Sequence, residues 1–88
     1  MISPEASKQL GDLQADIRAN IVCSVKELVD NPIKSRAKAD IKKLVKVKGK
    51  NSLFRLRVGE YRVIYEVSDG TVWISEIVKR SAAYKFLL

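Results

Sequence analysis

The stretch Leu53-Phe54-Arg55-Leu56-Arg57-Val58-Gly59-Glu60-Tyr61-Arg62-Val63-Ile64-Tyr65-Glu66-Val67 alternates apolar and polar side chains on either side of Gly59-Glu60. Period-two alternation is the mark of a strand with one buried face. It predicts strands over Leu53–Val58 and Tyr61–Val67 joined by a turn at Gly59-Glu60. A turn there sets Val58 opposite Tyr61, Arg57 opposite Arg62, Leu56 opposite Val63 and Phe54 opposite Tyr65. One face then carries Phe54, Leu56, Val58, Tyr61, Val63 and Tyr65. The other gathers Arg55, Arg57, Arg62 and Glu66.

Like charges directly opposite one another weaken a sheet. Arg57 against Arg62 therefore calls for compensation, and a bound anion is the simplest, because guanidinium forks match phosphate oxygens. The plainer alternative is a solvated basic face, with Glu66 near enough to pair with one arginine. Asp69-Gly70 is a two-residue hairpin signal, and Thr71–Val78 reads as a third strand. Continuing the register pairs Val67 with Val72 and Tyr65 with Ile74. It also turns Glu76 toward the core, which a bulge or an early strand end would relieve.

Upstream the period changes. Ser3-Pro4-Glu5 is a helix start: a capping hydroxyl, a proline at the first helical position and an acid in the first turn. That helix runs to about Gly11–Leu13. A second, from about Gln14 to Asp30, has Ile17, Ile21, Val25, Leu28 and Val29 at helical spacing and ends at Asn31-Pro32. Cys23 within it reads as a small packing residue. Asp40–Leu44 reads as a helical turn or the lead-in to a strand, and Gly49-Lys50-Asn51 as a break. The fold class is α+β, a helical hairpin on a small antiparallel sheet, in one domain over 1–88.

The 88 residues carry a net charge of +7, with one cysteine and no histidine. Residues 34–62 hold eleven basic and two acidic groups, so the whole excess lies in that third. Such a block suits a polyanion, nucleic acid first, or an acidic protein partner. Lys42, Lys43, Lys46, Lys48 and Lys50, with Lys79 beyond them, are candidate contacts to an RNA backbone; the bland alternative for the first five is a flexible solvated segment. Trp73 is placed to stack on a base or to pack. A lone cysteine without histidine offers neither a disulfide framework nor a zinc cluster. No apolar run is long enough to span a membrane, and the first residues lack signal-peptide regions, so a cytoplasmic location is expected.

The run Gly49–Val67, with Val78-Lys79-Arg80 and Tyr84 beyond it, resembles the central and closing signatures of the RelE/ParE toxin superfamily. Ser3-Pro4-Glu5-Ala6 and Asn31-Pro32 fit its helical hairpin. The resemblance implies two helices on an antiparallel sheet. Its RelE branch, archaeal and bacterial type II toxins, cuts messenger RNA in the ribosomal A site, using the RNA's own 2′-hydroxyl and no cofactor or metal. By position, Arg55 takes the place of a family lysine or arginine on the first central strand, and Arg57, Arg62 and Arg80 correspond to basic groups around the scissile phosphate; all four are candidate catalytic residues. Tyr84 corresponds to a tyrosine that orients or stacks on a base. Two departures stand out. Only Met1-Ile2 precede Ser3 where the family has a first strand, so that strand is short or missing. Lys79 stands where a histidine is frequent, which leaves the general acid or base open among Lys79, Tyr84, Glu66 and the ribosome.

The resemblance implies an acidic, RelB-like antitoxin as partner, together with the ribosome and mRNA; the toxin–antitoxin complex would reach operator DNA through the antitoxin. A membrane partner is not expected. Two other activities share this fold and much of the string: a ParE-type inhibitor of DNA gyrase, and a degenerate, non-toxic RNA-binding member.

Overall fold

The computed structural model describes residues 1–37, 39–44 and 53–82. Two helices come first, α1 (Pro4–Gly11) and α2 (Ala15–Glu27). Four strands follow: β1 (Asp40–Lys43), β2 (Leu53–Val58), β3 (Tyr61–Ser68) and β4 (Thr71–Lys79). The strands form an antiparallel meander in the order β1-β2-β3-β4, with the helices on one face. The α+β arrangement is the expected one, enlarged by β1, which the sequence left open between helix and strand. None of the described helices is long and apolar enough to cross a membrane.

The β2–β3 ladder has the register that alternation predicts: Val58 opposite Tyr61, Arg57 opposite Arg62, Leu56 opposite Val63, Phe54 opposite Tyr65. Gly59 opens the turn at φ 58°, a conformation that costs a residue without a side chain little. At the β3–β4 turn, Asp69 and Gly70 both take positive φ, 50° and 76°, as the mirror-image two-residue hairpin requires.

β4 resolves the misplaced acid with a bulge. Tyr65 pairs with Ile74 and Ile64 with Glu76, so Ser75 is the extra residue. One added residue flips every later side chain to the opposite face. Glu76 leaves the core side, and Ile77 enters it opposite Val63. Two hydroxyls hold the bulge: Ser75 Oγ donates to the Ile64 carbonyl at 3.1 Å, and Ser3 Oγ donates to the Ser75 carbonyl at 2.8 Å.

The main core lies between helices and sheet, built from Ala6, Ile21, Leu28, Leu56, Val63, Tyr65 and their neighbours. Phe54 and Tyr65 stack with ring centroids 5.6 Å apart. The buried Tyr65 hydroxyl donates to the Pro32 carbonyl at 2.6 Å, which fixes the turn after α2 to the sheet. A second, smaller cluster of Leu44, Leu53, Ile64 and Val78 sits on the opposite face, so that face is not uniformly polar.

α2 stops at Glu27, with Leu28 as its cap, short of Asp30. Arg36 supplies the reason. Its guanidinium donates to the carbonyls of Glu27 (2.6 Å), Asn31 (2.9 Å) and Lys34 (2.7 Å), drawing the chain into a reversal. Val29 consequently lies beyond the helix and is 81% exposed, outside the buried stripe expected of it. Cys23 is likewise exposed and fills no core position.

The first strand expected of the superfamily is reduced to one bridge. Ile2 pairs in parallel with Ile74, through Ile74 N–H to the Met1 carbonyl (2.9 Å) and Ser3 N–H to the Ile74 carbonyl (2.8 Å). Gln9 Oε1 accepts from Ile77 N–H at 2.8 Å, so residues from the chain's start cover the outer edge of β4.

Candidate nucleic-acid interface

Register places the arginines. One row across the sheet reads Asp40, Arg57, Arg62, Val78; the next reads Lys42, Arg55, Ile64, Glu76. Arg55, Arg57 and Arg62 thus share the face away from the helices. Arg80 joins them because its N–H donates to the Glu60 carbonyl at 2.8 Å, clipping the end of β4 to the β2–β3 turn.

The four arginines differ in setting. Arg62 is only 6% exposed, and its Nη1 donates to the carbonyls of Gly59 and Tyr61 at 2.8 Å each. Burial first, then the charges of Arg55, Arg57 and Arg80, push the Arg62 guanidinium below its ordinary range; Glu60 opposes them. Arg62 thus stands within the field of the other three cations. Arg55 is mostly covered, and its Nε is buried with no hydrogen-bond partner among the described residues. Arg57 and Arg80 are exposed.

The face supplies part of its own compensation. Asp40 places one carboxylate oxygen 3.6 Å from Arg55 Nη2 and the other 4.0 Å from Arg57 Nη1. Sequence reasoning missed Asp40, and it missed Glu60 beside Arg62. The available signal was that these are the two acids of the basic third. Glu66, weighed as the compensating acid, stands opposite Leu53 and Trp73 and forms no ion pair among the described residues.

Of the lysines, Lys42 shares the arginine face, next to Arg55. Lys43 pairs with Phe54 and Lys79 with Tyr61, which turns both toward the helix side. Lys79 there lines an open hollow of about 460 Å³ with Glu60, Tyr61, Arg80 and Ser81. Lys46, Lys48, Lys50 and Tyr84 lie outside the described residues. Trp73 is 42% exposed, on the arginine face but at its far end. On the helix side, a separate apolar hollow of about 250 Å³ is lined by Ile2, Leu10, Val22, Val25 and Ile74 among others.

Chemically, the face can bind a phosphodiester and stabilise charge that develops on it. Arginine stays protonated, so these four groups cannot supply a general base.

Comparison with known proteins agrees with the fold. The chain is 30% identical over 79 residues to toxin RelE3 of Methanocaldococcus jannaschii, covering 90% of this chain and 86% of the relative. It is 38% identical over 82 residues to the same organism's putative toxin RelE1, covering 86% of each. Its fold matches a chain of the RelB–RelE antitoxin–toxin complex from Methanococcus jannaschii with TM-score 0.71 and 26% identity, over 100% of this chain and 99% of that one. It matches a chain of the archaeal RelE–RelB complex from Pyrococcus horikoshii with TM-score 0.72 and 28% identity, over 90% of each. A family model described as the ParE toxin of type II toxin–antitoxin systems matches residues 1–84. By sequence and by fold, the chain belongs to the RelE/ParE superfamily of type II toxins.

Proposed function

We propose that this toxin is a ribosome-dependent mRNA endonuclease. The observation that carries the reading is the convergence of Arg55, Arg57 and Arg80 around Arg62 at one end of the sheet. In the reaction, the RNA 2′-oxygen attacks the adjacent phosphorus and the bond to the 5′-oxygen breaks. The 2′-proton passes to a base and the leaving 5′-oxygen takes one up, leaving a cyclic phosphate and a 5′-hydroxyl. Arg62 and Arg80 stabilise the added charge on the phosphate, typically the largest catalytic contribution in such sites. The proton carriers are Lys79, Tyr84 or groups of the ribosome, since Glu66 stands beside Trp73 at the far end of the face.

An acidic, RelB-like antitoxin restrains the toxin in the cytoplasm, and its own DNA-binding part carries the complex to operator DNA. The antitoxin partner is supported by the named assemblies of the matched structures and by the charge of the face. The apolar hollow beside α2 adds surface that a partner would cover. The test is translation of a defined message on purified ribosomes. A-site cuts that disappear in Arg80→Ala support the reading; no cuts with the wild-type protein refute it. Inhibition of gyrase supercoiling, the ParE-type activity, would replace it.

A further inference from the structure

The basic third of the chain holds eleven cations and only two carboxylates, and both sit against the arginine cluster. Asp40 is the better placed of the two. Its backbone is held on both sides: Arg36 and Ala39 exchange hydrogen bonds at 2.9 and 3.0 Å, and Ile41 N–H donates to Ser35 Oγ at 3.1 Å. Pairing with Arg57 in the β1–β2 ladder sets the side chain on the arginine face. Each of its oxygens then addresses a different guanidinium, at 3.6 Å and 4.0 Å.

That is the arrangement in which two oxygens of a phosphate would bridge Arg55 and Arg57. It is also loose. Charge-assisted hydrogen bonds close to roughly 2.7–2.9 Å, well inside these separations. Asp40 is 49% exposed, so water competes for it, and half-exposed pairs hold weakly. An RNA phosphodiester matches the carboxylate in charge and in its two charged oxygens, but it can close on both guanidinium groups at bonding distance and brings the field of the neighbouring phosphates, so it wins the arginines from the carboxylate. Arg55 meanwhile has a buried Nε with no partner among the described residues, a donor that an incoming oxygen could reach after a small shift of the side chain.

We propose that Asp40 is an internal stand-in for the RNA phosphate: its carboxylate bridges Arg55 and Arg57 in the free protein and is displaced when RNA binds. The carboxylate limits repulsion between the arginines before binding and weakens adventitious binding to any polyanion. This inference rests on the proposed RNA-binding role of the same face.

The test is fluorescence anisotropy with a short single-stranded RNA carrying 2′-O-methyl groups, which blocks cleavage. Binding is measured between about 50 and about 200 mM salt for the wild type, Asp40→Asn, Asp40→Glu and Asp30→Asn. Asp30 lies beyond α2, and its carboxylate pairs with neither Arg55 nor Arg57, so its variant controls for net charge. Asp40→Asn is expected to bind about three- to tenfold tighter at low salt. Its plot of log K against log salt should keep the wild-type slope to within about 0.7, because the same phosphate contact forms in both proteins once the carboxylate is displaced. Asp30→Asn should change binding less than about twofold, and Asp40→Glu should behave as wild type. Asp40→Asn binding no tighter than Asp30→Asn, with wild type still binding RNA, overturns this inference alone. If no protein in the series binds RNA, the inference falls together with the proposed role of the face.

Discussion

Arg57 and Arg62 stand directly opposite each other across β2 and β3, yet Arg57 reaches into solvent while Arg62 is buried against the turn. The pair divides one face into a cation anchored on backbone carbonyls and a solvent-exposed one paired loosely with Asp40, and this difference in burial gives separable consequences for mutation.

Arg62→Ala should cost both stability and activity. It removes two bonds from a charged donor to the Gly59 and Tyr61 carbonyls, worth about 2 kcal/mol after relief of repulsion from the neighbouring arginines. Arg80→Ala, at an exposed position, should leave stability within about 0.5 kcal/mol. Both should lower mRNA cleavage by about a hundredfold or more. Urea denaturation alongside a ribosomal cleavage assay separates the two effects.

Tyr65→Phe should cost about 1 kcal/mol at pH 7, because it deletes the bond to the Pro32 carbonyl while keeping the stack on Phe54. Burial raises the Tyr65 hydroxyl above its ordinary value, with Arg36 opposing. The folded state therefore keeps a proton that the unfolded chain releases above about pH 10. Unfolding then sheds protons, so this part of the stability is full below pH 10 and falls as pH rises beyond it. The alkaline loss should shrink in Tyr65→Phe, as read by denaturant midpoints at neutral and alkaline pH.

Arg36→Ala should destabilise by about 2–3 kcal/mol, since one guanidinium satisfies three carbonyls where α2 reverses. Arg36→Lys should recover less than half of this, because an ammonium cannot present a planar fork to three acceptors. RNA affinity should stay within about twofold in both, as Arg36 lies off the arginine face. Loss of binding without loss of stability would contradict a structural role.

Ser3→Ala should cost about 1–2 kcal/mol. The hydroxyl accepts from Ala6 N–H at 3.0 Å as the cap of α1 and donates to the Ser75 carbonyl at 2.8 Å. In a domain this size that is a fall of several degrees in Tm. Ser3→Thr should restore most of it.

The central hairpin was legible because strand alternation and a glycine turn are local properties, written within Leu53–Val67. The bulge was legible only as a conflict: Glu76 faced inward under an unbroken register, but nothing local marks Ser75 as the extra residue. β1 was obscured because Ile41 is the only apolar residue of Asp40–Lys43 and its partner Leu56 lies across an intervening segment. The end of α2 was misplaced because periodicity extends to Val29, while the reversal is imposed by a remote guanidinium, Arg36. Among the site residues, alternation grouped Arg55, Arg57 and Arg62. The part of Asp40 in that group depends on pairing between β1 and β2, which a reading of local pattern does not reach.

The bridge between Ile2 and Ile74, together with Gln9 on Ile77, joins the start of the fold to its last strand. Contacts of such long sequence separation slow folding, since most of the chain must be ordered before they form. During synthesis, α1 has no edge to lie on until translation has passed Ile77. The arginine face is thus assembled in full only once β4 and Arg80 have been made, so a nascent copy carries Arg55, Arg57 and Arg62 for a time without the strand that completes their face.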